Sequence, residues 1–209
     1  MVERVVAGRR LLLAGLLLLG ACTTTRSTGG ITPPPPPPDE PSLTVTATAE
    51  PGGYARPCDS SVYGRLGRRW QEQSLVVGPV AFVGLPLYER AGGSTLDVRS
   101  GSAVPLKVLA VVKDGTRVTV SVPPDQRESL ALLYDPAAFG ARSVGDGQTT
   151  VTFGPCQSGA TRYGSGKGTQ FNGALLVTGP QCAALEIDVD GGATRLVTFP
   201  LGRGVHCPT

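Results

Sequence analysis

Apolar residues in this chain come in short bursts, broken every few positions by glycine, proline or small polar residues, and the bursts repeat with a period of two. Residues 43–49 alternate threonine with Leu43, Val45, Ala47 and Ala49. Residues 117–122 read Arg-Val-Thr-Val-Ser-Val, the pattern of a strand with one wet face. Residues 75–83 are apolar, with Gly78-Pro79 inside the run. Residues 106–112 and 116–122 flank Lys113-Asp114-Gly115, a hairpin signal. Residues 130–134, 149–153, 171–178, 183–189 and 194–199 continue the series, with Gly179-Pro180 and Asp190-Gly191-Gly192 as turns between the last three. No long stretch places apolar residues at i, i+3, i+4 and i+7, although residues 64–74 and 123–133 have room for a helical turn or two. Eight or more strands at close spacing without intervening helices predict an all-β domain. An antiparallel sandwich or barrel fits that pattern, and the favoured form is a disulfide-stapled antiparallel β-sandwich of immunoglobulin-like type.

The first residues follow another rule. Arg4, Arg9 and Arg10 face a single acid, Glu3, and residues 11–19 are leucine except for Ala14 and Gly15. A membrane-spanning helix needs about 20 apolar residues. This run is half as long and has the form of a signal peptide. Leu19-Gly20-Ala21-Cys22 resembles the lipobox of bacterial lipoproteins. That resemblance implies diacylglycerol on the Cys22 thiol, cleavage before Cys22, and a chain held at the outer face of the cytoplasmic membrane. Arg9-Arg10-Leu11-Leu12 weakly resembles a twin-arginine export signal. The expected organisation is a signal peptide at 1–21, a tether at 22–41 and an extracytoplasmic domain at 42–209. The tether holds six consecutive prolines at 33–38, which favour a stiff polyproline II spacer of about 3.1 Å per residue. A ligand for a proline-binding module is the weaker reading of that run.

Charge narrows the range of partners. The formal net charge of +3 falls to +1 once Glu3, Arg4, Arg9 and Arg10 leave with the signal, so the balance gives no support for a nucleic-acid partner. The basic residues are arginines apart from Lys107, Lys113 and Lys167. With abundant Gly, Ala, Pro and Val, this points to a GC-rich, actinobacterial genome.

Besides Cys22 there are four cysteines, Cys58, Cys156, Cys182 and Cys207. An even number in an exported chain predicts two disulfides. Four cysteines allow three pairings, and the pairing expected here is Cys156 with Cys182 and Cys58 with Cys207. No Cys-x-x-Cys occurs and His206 is the single histidine, so metal ligation and thiol redox catalysis are the weaker readings.

The remaining motifs fall short of the chemistry they suggest. Gly164-Ser165-Gly166-Lys167-Gly168-Thr169 looks like a phosphate-binding P-loop, but Thr161 stands where the first glycine belongs and Gly168 follows the lysine. It is expected to be a flexible loop before a strand. Asp188-Val189-Asp190-Gly191 hints at a calcium loop, yet Phe199 holds the twelfth position, where a bidentate Glu belongs. His206 has no Gly-x-Ser-x-Gly nucleophile elbow to serve. Asp59, Glu72, Glu89, Asp97 and Asp125 carry no mark of a paired-carboxylate hydrolase. Tyr54, Tyr63, Trp70, Tyr88, Tyr134 and Tyr163 are candidates for an aromatic platform. At 5% aromatic residues, core or capping roles suit them better, with Trp70 near a wet edge beside Arg65, Arg68 and Arg69.

No catalytic, cofactor-binding or metal-binding residue is therefore assigned, and no cofactor is expected. The leading expectation is a lipid-anchored binding module with an envelope protein or polysaccharide as partner. An envelope hydrolase using carboxylates and a purely structural envelope protein are the alternatives. The stretches at 78–84, 107–112, 178–182 and 200–202 loosely resemble secreted actinobacterial proteins, and that resemblance transfers no site residues.

Overall fold

A computed structural model describes residues 53–89, 102–157 and 159–208, all within the unit Val45–Thr209. The segment expected to be a signal peptide, Cys22, the proline-rich stretch and the alternating residues 43–49 lie outside the described residues. The described part is all-β. Its strands are β1 (Gly53–Arg56), β2 (Ser74–Val77), β3 (Val80–Val83), β4 (Val104–Lys107), β5 (Leu109–Lys113), β6 (Val118–Ser121), β7 (Leu130–Leu133), β8 (Thr150–Phe153), β9 (Thr161–Tyr163), β10 (Gly166–Phe171), β11 (Ala174–Val177), β12 (Gln181–Val189) and β13 (Arg195–Leu201). Among the described residues the helical elements are short 3-10 turns. Trp70–Gln73 and Pro124–Gln126 form two of them, where the sequence has room for such turns.

Three sheets run β1-β8-β6-β12-β13, β2-β3-β5-β10-β9 and β4-β11-β7. All pairings are antiparallel except β1 with β8. The second and third sheets form one bent surface. Phe171 pairs with Ala110 and Ala174 with Lys107 in a single register. The Val108 N–H donates to the Gly173 carbonyl at 3.0 Å and carries the ladder through the bend. Val120, Val151, Phe153, Leu185 and Ile187 of the first sheet meet Phe82, Val112, Phe171, Leu132 and Leu175 of the bent surface in one buried cluster. Their alternation with exposed or half-buried neighbours in β6 and β8 is the period-two pattern of the sequence made physical.

Gly173 is bare for a reason. A Cβ there would lie 2.2 Å from the Tyr134 ring, which fills the space over the bend. Tyr134 is fully buried, and its hydroxyl donates to the Val108 carbonyl at 3.1 Å. Burial pushes its pKa well above the usual phenol range, with the Arg56 charge acting in the opposite direction. Arg56, 2% exposed, donates to the carbonyls of Tyr134 at 2.7 Å and Ser60 at 3.1 Å, and its guanidinium lies 6.0 Å from the Phe171 ring centroid.

Several sequence expectations need correction. Lys113-Asp114-Gly115 does not join two paired strands. β5 lies in the second sheet and β6 in the first, so the turn crosses between layers. The Asp114 carboxylate fastens the corner by accepting from Thr169 Oγ1 at 2.8 Å and Gly159 N–H at 3.0 Å. The Gly115 N–H adds a bond to the Cys156 carbonyl at 2.7 Å. The apolar run at 75–83 is two strands, because Gly78 takes φ +57° and Gly78-Pro79 turns β2 back onto β3. The glycine-rich stretch at 164–169 is mainly strand, with Gly164-Ser165 turning β9 into β10. Gly168 lies so close to the neighbouring strand that a Cβ would meet the Val111 side chain at 3.0 Å and the Val112 carbonyl at 3.1 Å.

The disulfides are Cys58–Cys156 and Cys182–Cys207, not the expected pairing. β1 runs parallel to β8 with Arg56 opposite Phe153, so both chains leave the same end of the sheet and bring Cys58 and Cys156 together. Cys182 pairs with Pro200 in the β12–β13 hairpin. Turns at Gly202 and Gly204, with φ +105° and +78°, lead the chain back so that Cys207 meets Cys182. In the immunoglobulin arrangement a tryptophan packs on an inter-sheet disulfide. Here Trp70 packs on Tyr163, on the other side of the second sheet from the main core.

Candidate functional site

The second sheet has an apolar outer face as well as its inner one. Ala81, Val111 and Tyr163 form a small cluster there, and a sheet face of that kind needs a cover. Residues 62–74 supply it. The Val62 N–H donates to the Gln170 carbonyl at 2.9 Å, and Gln170 Nε2 donates to the Gly64 carbonyl at 2.7 Å. Trp70 then drops onto the sheet at 8% exposure, with its ring centroid 5.8 Å from that of Tyr163. The Tyr163 hydroxyl donates to the Gly78 carbonyl at 3.0 Å, and burial raises its pKa to about 12. Trp70 and Leu66 are thus a lid on the sheet, and the covering segment leaves Arg65, Arg68 and Arg69 exposed.

Between this segment and the sheet edge at β9 runs a trough of about 700 Å³, with Arg65, Arg68 and Arg162 on its walls and Trp70 at its side. A second hollow of about 400 Å³ adjoins it and adds Arg69 and Gln73. Both hollows share Arg65, Leu66, Gly67, Arg68 and Trp70, so they are two sides of one ridge. Among the described residues no carboxylate lines either hollow. Arg69 reaches Glu72 at 3.7 Å, an exposed pair of little energetic weight. Arg65, Arg68 and Arg162 form no ion pair among the described residues. Arg162 also sits directly opposite Lys167 in the β9–β10 hairpin, and like charges so placed repel. Apart from Glu72 beside Arg69, the described residues gather cations here without a compensating acid, the arrangement that suits an anion.

A smaller hollow of about 360 Å³ lies at the sheet bend, where Pro105, Leu133, Phe139 and Ala174 surround Lys107 and Asn172. Among the described residues it offers one cation and mostly apolar walls.

The sequence-marked residues scatter. Asp188 Oδ1 accepts from the Gly191 N–H at 2.8 Å within the β12–β13 turn, and Asp190 Oδ1 accepts from the Arg117 N–H at 2.9 Å and ties that turn to the chain entering β6. His206 is exposed beside the Cys182–Cys207 bridge. Asp59, Glu72, Glu89 and Asp125 are exposed, and Asp97 lies outside the described residues. Among the described residues no group of three or more His, Cys, Asp or Glu side chains is placed to hold a metal ion. No helix among them is long and apolar enough to cross a membrane. The six aromatics do not form one platform: Tyr134 is in the core, Tyr63 is 72% exposed, and Trp70 pairs with Tyr163. The sequence pattern marked Arg65, Arg68 and Arg69 only as neighbours of Trp70. It held no sign that Arg162, far along the chain, would join them. Comparison with known proteins finds no family model, curated protein or solved structure that matches this chain.

Proposed function

We propose that this chain is a lipoprotein anchored through Cys22 at the outer face of the cytoplasmic membrane. Its β domain is then a binding module, and the arginine trough is the surface that recognises an anionic ligand. The observation that carries the binding reading is one hollow lined by Arg65, Arg68 and Arg162 and, among the described residues, by no carboxylate. The export reading is supported by the basic start, the short apolar run and Leu19-Gly20-Ala21-Cys22, in the order that resembles a lipobox. Two disulfides suit an oxidising compartment. The proline-rich stretch would then act as a spacer between membrane and domain.

The test is the intact mass of the native protein extracted from membranes. The expected species begins at Cys22, carries a diacylglyceryl group, and is lighter by two hydrogens for each disulfide. An unlipidated full-length mass would overturn the anchor and move the search for a ligand to another compartment.

A further inference from the structure

We infer that the trough takes a linear anionic glycan, a sugar chain with a charged group at each repeat, rather than a single small anion. This rests on the binding-module reading above and names its ligand class. The cationic surface is extended: one ridge, residues 65–70, separates hollows of about 700 and 400 Å³. Arg162 stands at one side of that ridge, Arg65 and Arg68 line both sides, and Arg69 faces the other. Each hollow alone is large enough for a small organic ligand. Together they fit a chain that crosses the ridge.

Energetics point the same way. The arginines are exposed, and a solvated guanidinium–anion pair is individually weak. A lone monovalent anion gains little from such a site. A polymer that engages three or four guanidinium groups at once gains through effective concentration and counterion release.

Sugar suits the trough better than nucleic acid or peptide. Single-stranded nucleic acids rely on aromatic faces for stacking. The aromatic side chain of the trough, Trp70, is 8% exposed and packed on Tyr163. A peptide adding to the sheet would need a long open edge. β9 offers three residues.

The experiment measures binding of the mature full chain to fluorescent galacturonate oligomers, a trimer and a chain of about twelve repeats. A single-stranded oligothymidine, polyglutamate and neutral dextran run in parallel. The longer galacturonate is expected to bind about tenfold or more tighter than the trimer, with affinity falling steeply as salt rises. The variant Arg65→Gln/Arg68→Gln/Arg162→Gln is expected to lose about tenfold or more of that affinity while its unfolding midpoint stays in place. Equal affinity for trimer and long chain would overturn the polymer inference and leave the anion-binding module standing. Tighter binding of oligothymidine or polyglutamate would overturn the glycan assignment. No binding of any anionic probe, or equal binding by the variant, would overturn the trough as the recognition surface altogether.

Discussion

Arg56 is 2% exposed and spends its N–H groups on the carbonyls of Tyr134 and Ser60, whereas Arg65, Arg68 and Arg162 stand in solvent with no ion pair among the described residues. The side chain is the same, and its surroundings decide what it does. A guanidinium removed from water must recover its lost hydration from fixed partners, so Arg56 ties β1 to the end of β7 and has no exposed N–H left for a ligand. Its Nε is the buried polar side-chain atom left without a partner among the described residues, a desolvation cost that the two carbonyl bonds offset. The trough arginines lose little hydration on folding and keep their donors free. Burial thus separates an arginine that holds the fold from arginines that can hold something else.

Four measurements would break or sharpen that contrast. The largest effect belongs to the staple beside Arg56. Replacing both Cys58 and Cys156 with serine opens a closure between residues separated by 98 positions. The chain-entropy estimate gives a loss of about 5 kcal/mol, read as a lower urea midpoint. A loss under about 1 kcal/mol would mean that β1 needs no such closure.

Next comes Arg56→Ala, expected to cost about 3 kcal/mol because two carbonyl oxygens lose their donors inside the protein. An unchanged midpoint would place Arg56 with the trough arginines and remove the contrast.

A third effect appears on the alkaline side. Tyr134 carries a folded pKa raised above its ordinary value of 10.0, chiefly by burial, so folding favours its protonated form. Its contribution is fully present below pH 10 and is lost as pH rises above that value. The loss is about 1.4 kcal/mol per pH unit, until the folded pKa is passed. Tyr163, buried against Trp70 and raised to about 12, adds to the same fall. Denaturant midpoints measured across this range should fall above pH 10, and Tyr134→Phe should flatten the fall. A pH-independent midpoint would contradict the sealed environment over Gly173.

The smallest effect is on the stability of the trough variants. Arg65→Gln, Arg68→Gln and Arg162→Gln should each shift stability by no more than about 0.5 kcal/mol. A larger loss would make these arginines structural and weaken their availability for a ligand.

Much of the fold was readable before any coordinates. The alternation at 117–122, the apolar runs at 130–134 and 149–153, and the turn at Asp190-Gly191-Gly192 all became the elements they suggested. The candidate site was scarcely readable. Arg65, Arg68 and Arg69 stood out beside Trp70, but Arg162 carried no mark. Gly164–Thr169 looked like a loop because its glycines mimic one. Gly164 is there for the left-handed turn, at φ +56°, and Gly168 for close packing, where a Cβ would meet the Val111 side chain at 3.0 Å and the Val112 carbonyl at 3.1 Å.

The sequence by itself determined the all-β class, the presence of four domain cysteines able to pair, and most strand positions. These follow from local rules: side chains alternate every residue along a strand, and glycine or proline breaks the run. Tertiary structure alone decided which sheet each strand joined, and so turned Lys113-Asp114-Gly115 into a crossing between layers. It also decided that Cys58 meets Cys156 and that Arg162 comes to the trough. Those outcomes depend on pairing between segments far apart in the chain, as in the parallel docking of β1 on β8. Burial energy over the whole core selects such pairings, and no short stretch of residues contains that information.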